Sequence, residues 1–293
     1  MQQSTQSKGQ IIKKSASDSK CPVCNGTNYE IFQACELAEI DLEKYKESIE
    51  RHIEVYSSLH VPSQGYAIPC RRCNGGYTQR VQVSREQANI PSSFYDKNIE
   101  DFDRNIYRTQ DGKPADISKI MQVVDSFIRE YEKWDKRGFG LYICSGMKGS
   151  GKTFLASCIC NSLIQKCPMN TKFVSESQLL NISKNSDGSG NYSTDQLSLL
   201  CKCKLLVIDD IGHKNCGSDW MNDVLFQIID YRYQQKLVTI FTSNVKVVDL
   251  DLDDRIVDRI NKMTFQMSLP EYCVRAKEAN EQKIEFMKEL GIM

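Results

Sequence analysis

Gly146-Met147-Lys148-Gly149-Ser150-Gly151-Lys152-Thr153 reads G-x-x-x-x-G-K-T, and its flanks give that pattern a mechanical meaning. Ahead of it lies the apolar, β-prone run Phe139-Gly140-Leu141-Tyr142-Ile143-Cys144. Behind it, Phe154-Leu155-Ala156-Ser157-Cys158-Ile159-Cys160-Asn161-Ser162-Leu163 carries a helical pattern. A strand, a glycine-rich turn and a helix N-terminus together make a cradle for phosphate. Glycines let backbone N–H groups turn inward, and the helix N-terminus favours negative charge. In such a cradle Lys152 reaches the β- and γ-phosphates of a nucleotide and Thr153 holds Mg²⁺. The candidate phosphate-binding residues are therefore Gly146, Lys148, Gly149, Ser150, Gly151, Lys152 and Thr153.

Two further apolar runs fit parallel strands buried on both faces. Cys203-Lys204-Leu205-Leu206-Val207-Ile208-Asp209-Asp210 ends in two acids. Ligands bind at the carboxyl edge of an open α/β sheet, so Asp209 is placed to hold Mg²⁺ and Asp210 to polarise an attacking water. Leu237-Val238-Thr239-Ile240-Phe241-Thr242-Ser243-Asn244 ends in polar residues, and Asn244 is placed to orient that water. Between them, residues 220–235 read as a helix carrying Met221, Val224, Leu225, Ile228, Ile229 and Tyr231 toward the sheet. Residues 116–136 read as one helix with Ile120, Val124, Phe127, Ile128 and Tyr131 on a stripe, and Phe173-Val174 as a strand. Residues 185–191 read as a flexible loop. No Asn-Lys-x-Asp follows the strands, since Asn244-Val245-Lys246-Val247 does not fit; this disfavours GTP as the nucleotide.

Arg255 and Arg259 are four apart and share a helix face. Taken alone, they read as an ion-pair ladder with Asp254 and Asp258. Arg275 is equally unremarkable by itself.

The chain has 293 residues with 38 basic and 38 acidic side chains, so contact with nucleic acid must come from local patches. Arg71, Arg72, Arg80 and Arg85 form the one basic cluster singled out. Residues 1–20 are rich in Gln, Ser and Lys and read as a disordered tail without a secretory signal; no apolar stretch is long enough to span a bilayer. A cytoplasmic setting is expected, where the thirteen cysteines serve metals or packing. Cys21-Pro22-Val23-Cys24-Asn25-Gly26 and Cys70-Arg71-Arg72-Cys73-Asn74-Gly75 are two copies of one knuckle. Cys21, Cys24, Cys70 and Cys73 together predict a tetrahedral Zn²⁺ site. Residues 36–59 between the knuckles read as a helix, and Cys35, His52 and His60 are substitute ligands. Cys158, Cys160, Cys201 and Cys203 read as small buried hydrophobes.

With these parts in this order, the chain resembles AAA+ ATPases of the DnaC/DnaI helicase-loader type, relatives of the IstB-like transposition helpers. The resemblance covers about residues 90–275. It rests on Ala88-Asn89-Ile90-Pro91-Ser92-Ser93-Phe94, Ile99-Glu100-Asp101-Phe102-Asp103, the phosphate loop, the Leu-Leu-Val-Ile-Asp-Asp-Ile-Gly strand, the Thr-Ser-Asn strand end, Asp258-Arg259-Ile260 and the segment from Glu271 to Arg275. It implies an α/β P-loop NTPase fold with a central parallel sheet and an absent or truncated lid. It implies ATP as the nucleotide and Asn244 as a γ-phosphate sensor. By the same resemblance Arg259, with Arg255 beside it, reaches the ATP of a neighbouring subunit, and Arg275 contacts phosphate in its own subunit. Many AAA+ proteins carry Asp-Glu where this chain has Asp209-Asp210. After Arg275 only a short charged tail is expected.

The expected organisation is a tail over 1–20, a zinc-binding helical module over 21–90 that docks a partner, and an ATPase over 91–293. The implied function is ATP-dependent loading of a hexameric DnaB-type replicative helicase onto single-stranded DNA, with self-association through the ATPase. The DNA contacts are expected near residues 183–194. The alternatives are an IstB-like transposition helper and a zinc-containing adaptor that ATP switches without significant turnover.

Overall fold

The computed structural model describes residues 29–32, 66–70, 76–179, 194–212, 219–290 and 292. They fall into two compact units, Met1–Val83 and Ser84–Met293.

In the first unit, β1 (Tyr29–Phe32) pairs antiparallel with β2 (Tyr66–Pro69), Tyr29 opposite Pro69 and Phe32 opposite Tyr66. Cys70 follows β2 directly and is buried. The expected zinc ligands Cys21, Cys24 and Cys73, and the helix expected over 36–59, lie outside the described residues. The division between units falls inside α1 (Tyr77–Ala88), a helix that the sequence reading did not single out.

The second unit is an α/β layer structure. Its strands are β3 (Gly140–Cys144), β4 (Thr171–Ser175), β5 (Leu205–Asp209), β6 (Val238–Ser243) and β7 (Thr264–Ser268). All neighbours are parallel, in the order β4-β5-β6-β3-β7. Every residue of β3 and β6 is buried, as continuous Val/Ile/Leu-rich runs demand in a sheet covered on both faces. From β3 the chain crosses to the far edge at β4, then fills inward through β5 and β6, and finally adds β7 on the other side of β3. This reversal of direction at β3 leaves a crevice at its carboxyl end, where the glycine-rich loop begins.

Helix α4 (Lys152–Lys166) follows that loop and is buried along most of its length. Cys158 and Cys160 pack among its apolar residues; burial pushes the Cys158 thiol up to about 12 and raises that of Cys160 as well, so both behave as protonated hydrophobes. Cys201 and Cys203 are buried too.

The helix expected over 116–136 is two helices, α2 (Ser118–Arg129) and α3 (Tyr131–Arg137). Glu130 joins them at φ −112°, ψ 31°, outside helical geometry. Met121, Val124 and Phe127 are buried on α2, and the Phe127 ring meets those of Tyr131 and Trp134 edge-on at 5.7 and 5.2 Å. The bend lets both helices present apolar residues to one cluster. Strand β7 was not foreseen. It leaves helix α7 (Asp254–Met263) without a loop, and only Thr264 and Met267 of its five residues are buried, too polar a pattern to read as a buried strand. Beyond it α8 (Val274–Glu289) gives the expected charged tail sixteen helical residues. Among the described residues no helix is long and apolar enough to cross a membrane.

Helix α5 (Thr194–Lys202) precedes β5, and α6 (Asp219–Gln234) lies between β5 and β6. On α6, Val224, Leu225, Ile228 and Ile229 are buried as expected, whereas Met221 carries no described side chain. Tyr231 corrects the reading: it is 36% exposed, and Arg232 takes the inward place, at 0%. Arg232 stands four after Ile228 and three after Ile229, on the same stripe. Its Nη1 donates to the carbonyls of Leu200, Cys201 and Cys203 at 3.0, 3.2 and 2.8 Å, its Nη2 to Val238 O at 2.6 Å and its Nε to Thr239 Oγ1 at 2.9 Å. Burial disfavours the cation, but the carbonyls at the end of α5 are the negative pole of a helix and call for donors. One guanidinium thus ties α5, α6 and β6 together. We expect Arg232→Met to lower unfolding stability by about 3–5 kcal/mol, because several buried carbonyls lose a charged donor at once. Urea denaturation with an unchanged slope and an earlier midpoint is the readout; a wild-type midpoint would refute the clasp.

Candidate nucleotide-binding site

A cavity of about 920 Å³ opens at the carboxyl ends of β3, β5 and β6. Lys148, Gly149, Ser150, Gly151, Lys152 and Thr153 form one side; Asp209, Asp210 and Asn244 form the floor; Val274 and Arg275 stand at the start of α8. The opposite wall comes from the segment at the start of the second unit, with Phe94, Lys97, Asp101, Phe102, Ile106 and Tyr107.

The loop takes its shape from two glycines. Gly149 has φ 77° and Gly151 φ 91°, left-handed conformations that side chains disfavour. A Cβ on Gly149 would lie 3.0 Å from Cys273 Sγ, and one on Gly151 would lie 3.1 Å from Tyr107 Oη. Gly151 caps α4, whose first residue is Lys152. Left-handed glycines in a turn that opens a helix are the geometry of a backbone anion nest. Gly146, at the start of the loop, does not line the cavity; a Cβ there would approach Glu271 Oε1 to 2.9 Å.

Lys152 is buried at 7% exposure, and its Nζ donates to Ser145 O and Met147 O at 3.2 Å and to Ser150 Oγ at 3.4 Å. Burial pulls its pKa down, and Asp210 and Asp209 oppose the shift. The ammonium rests on the carbonyls of its own loop, which is where an arriving phosphate would meet it.

Opposite, hydroxyls converge on one carboxylate. Thr153 Oγ1 donates to Asp209 Oδ1 at 2.9 Å, and Thr242 Oγ1 donates to the same oxygen at 2.6 Å. Burial pushes the Asp209 carboxyl up, while these two hydrogen bonds pull it back toward the ionised form. An all-oxygen set of one hydroxyl and one carboxylate beside a phosphate cradle fits Mg²⁺, which takes one or two protein oxygens and completes its shell from phosphate and water.

Asp210 adopts φ 59°, an uncommon conformation for a residue with a side chain, costing about 1–3 kcal/mol. Three bonds hold it there. Its N–H donates to Thr242 Oγ1 at 2.8 Å, the next N–H, of Ile211, donates to Thr242 O at 2.9 Å, and Asn244 Nδ2 donates to Asp210 Oδ1 at 2.6 Å. The twist turns its carboxylate off the line of β5 and onto Asn244. The Arg275 backbone N–H donates to Gly149 O at 3.2 Å, which fixes the start of α8 against the loop.

Arg255 and Arg259 are not in this cavity. The ladder expected from their spacing is also absent. Arg255 pairs with Asp253 at 2.9 Å, Arg259 pairs with Asp230 of α6 at 2.5 Å, and Asp258 pairs with Lys262 at 2.8 Å. Of the expected basic cluster, Arg71 and Arg72 lie outside the described residues, and Arg85 is half-buried and donates to Asn98 Oδ1 at 3.4 Å. Residues 183–193 of the expected DNA-contact segment also lie outside them.

Several contributors were missed. Thr242 links both acids, yet it read only as part of a polar strand end. Tyr107, 1% exposed, donates from its hydroxyl to Ser150 O at 2.8 Å and so braces the phosphate loop. Asn161 on α4 donates from Nδ2 to Phe94 O and Lys97 O at 2.9 and 2.7 Å, clamping the far wall; Ser162 Oγ accepts from Ile99 N–H at 3.0 Å. Phe154 meets Phe94 and Phe102 at 5.2 and 6.0 Å between ring centroids, giving that wall an aromatic face. Only the Asn-Ser pair on the helix after the loop could have signalled the clamp.

Comparison with known proteins agrees with this architecture. The chain is 30% identical over 131 residues to the replicative helicase loader DnaI of Bacillus subtilis, covering 45% of this chain and 40% of that protein. It is 28% identical over 158 residues to the replicative helicase loader DnaC of Escherichia coli, covering 53% and 60%. The matches therefore span about half the length of these relatives. A crystal structure of DnaI superposes with a TM-score of 0.51 at 26% identity, over 62% of this chain and 95% of that one. The fold is accordingly the P-loop AAA+ core. Residues 79–281, more than half of the chain, match the family of IstB-like ATP binding proteins, and the chain belongs to that family.

Proposed function

We propose that this protein is an ATPase that loads a hexameric DnaB-type replicative helicase onto single-stranded DNA. The observation that carries the catalytic part is the convergence of Lys152, Thr153, Asp209, Asp210 and Asn244 on one cavity. In that cavity the loop amides and Lys152 bind the terminal phosphates, and Thr153 and Asp209 would hold Mg²⁺, which when bound would neutralise developing charge. Asp210, oriented by Asn244, accepts the proton of the attacking water. The new bond forms from that water to the γ-phosphorus as the bond to the bridging oxygen breaks, and the electron pair leaves on ADP. Arg275, which lines the cavity at the start of α8, serves in this reading as the phosphate contact in its own subunit. Arg259, with Arg255 beside it, lies outside the cavity of its own chain, as an arginine serving a neighbour's ATP must. In this reading, self-association through the ATPase unit is part of the mechanism. The helicase assignment rests on kinship with relatives named replicative helicase loaders, and the DNA assignment extends that reading.

The amino-terminal module, residues 21–90, serves in this reading as the helicase-docking part, stapled by Zn²⁺ on Cys21, Cys24, Cys70 and Cys73. Its support is the repeated C-x-x-C-Asn-Gly knuckle. Bound zinc contributes about 10–16 kcal/mol in small modules, so stripping it with a strong chelator is expected to unfold the module and abolish helicase capture while ATP binding persists. Metal analysis near one zinc per chain supports the staple; none at all refutes it.

Lys152→Ala is expected to weaken ATP binding at least 100-fold, measured with a fluorescent ATP analogue; unchanged affinity would overturn the cradle. Arg259→Ala is expected to bind ATP normally and to lose turnover by about 10³-fold or more. Mixing the two inactive variants should restore part of the rate, because each supplies what the other lacks at one interface. A wild-type chain that binds ATP and partner without turnover would instead favour the switched adaptor. DNA-stimulated turnover coupled to a transposase rather than a helicase would favour the transposition helper.

A further inference from the structure

Two guanidinium groups share one phenyl ring on the surface where α6 meets α7. Arg255 Cζ lies 4.5 Å and Arg259 Cζ 4.8 Å from the centroid of Phe226. Like charges this close repel, and each has its own acid. Arg255 donates from Nε and Nη2 to Asp253 at 3.0 and 2.9 Å; Arg259 donates from Nε to Asp230 Oδ1 at 2.5 Å. Asp230 is itself held, since its Oδ2 accepts from Gln234 Nε2 at 2.7 Å. Phe226 and Asp230 are four apart on α6 and face α7 together. Arg259 also donates from Nη1 to Arg255 O at 3.0 Å. Its guanidinium carbon thus lies over the ring, two of its three nitrogens are anchored, and among the described residues Nη2 has no hydrogen-bond partner. Stacking fixes the plane of a guanidinium while leaving its edge N–H groups open to an anion.

We propose that Phe226 and Asp230 are positioning residues: they hold Arg259 as a pre-set fork whose open edge, Nη2, meets the terminal phosphates of ATP bound by a second copy of this chain. The proposal rests on the reading of Arg259 as the arginine that acts across an interface. An arginine side chain free to sample its rotamers would have to be ordered in each catalytic encounter. Here the ring, the carboxylate and a helix carbonyl order it beforehand. Neutralisation by Asp230 also eases its approach to the neighbouring subunit, because the cation already carries its counter-charge.

The test uses the full chain, with and without single-stranded DNA. Turnover, ATP affinity and urea midpoint are compared for Phe226→Leu, Phe226→Tyr, Asp230→Ala and Arg259→Ala. Phe226→Leu should slow turnover at saturating ATP about three- to tenfold, and Asp230→Ala about tenfold or more, with ATP affinity and midpoint close to wild type. Phe226→Tyr keeps the ring and should keep the rate. Mixing either slow variant with Lys152→Ala should raise the rate, as is expected for Arg259→Ala, because the defect lies in the arginine donor. If Arg259→Ala is slow while Phe226→Leu and Asp230→Ala run at the wild-type rate, the positioning role is wrong and the arginine reading stands. If Arg259→Ala runs at the wild-type rate, both fall. Slow variants that Phe226→Tyr does not mimic in reverse, and that no mixing improves, would mark a packing role and overturn the proposal.

Discussion

The hydroxyl of Thr242 is the contact on which the site depends. It donates to Asp209 and accepts from the backbone of Asp210, so one side chain on β6 sets the position of both acids at the end of β5. Thr153, from the first turn of α4, reaches the same carboxylate from the other side. Loop, helix and two strands are therefore registered against one another by three short polar contacts in a buried place, where hydrogen bonds to charged groups are stronger than in water. The left-handed backbone of Asp210 persists because this set over-determines it. Without Thr242, the strain at Asp210 would be relieved by returning its side chain toward the line of the strand.

The surrounding fold explains why that set is rigid. Parallel strands β3, β5 and β6 are buried over nearly their whole length, so their ends cannot slide without exposing apolar residues. The far wall of the cavity is attached differently, by side chains of α4 that hold the backbone of the lead-in segment. Asn161 and Ser162 thus make one helix serve both halves of the cavity: its N-terminus faces the phosphate loop, and its middle holds the wall across from it.

Much of this was legible in the sequence, because each legible part carries a local pattern. The glycine-rich loop, the three apolar runs and the paired acids are written in contiguous residues, and each stands at the expected place in the sheet. What was illegible depends on partners remote in sequence. Arg232 looks like an exposed charge within an amphipathic helix until α5 ends beside it and offers three carbonyls. Strand β7 gains its identity from β3, not from its own composition, and two of its five residues are all that the core requires. Tyr231 was expected inward on hydrophobicity alone, whereas the buried carbonyls draw in the neighbouring cation, Arg232, for which the sequence offered no expectation. The break at Glu130 follows from the aromatic cluster around Phe127, which no spacing rule contains.

The arginine pair on α7 shows how far local reading of charge can mislead. Asp254 and Asp258 flank the arginines at ladder spacing, yet Asp258 turns to Lys262 and the arginines turn to Asp253 and Asp230. Exposed pairs within one helix contribute only about 0.3–0.5 kcal/mol, too little to dictate which acid a guanidinium chooses. A ring on the neighbouring helix adds a comparable amount for each cation, and it adds direction, which an exposed ladder lacks. Phe226 therefore decides the outcome. It draws two cations to one place that mutual repulsion alone would separate, and the acids of α6 and of the turn before α7 make that crowding tolerable. A surface that only needed solubility would disperse these charges. Concentrating them on an aromatic ring, with one guanidinium edge left open, is the arrangement that recognition of an anion requires.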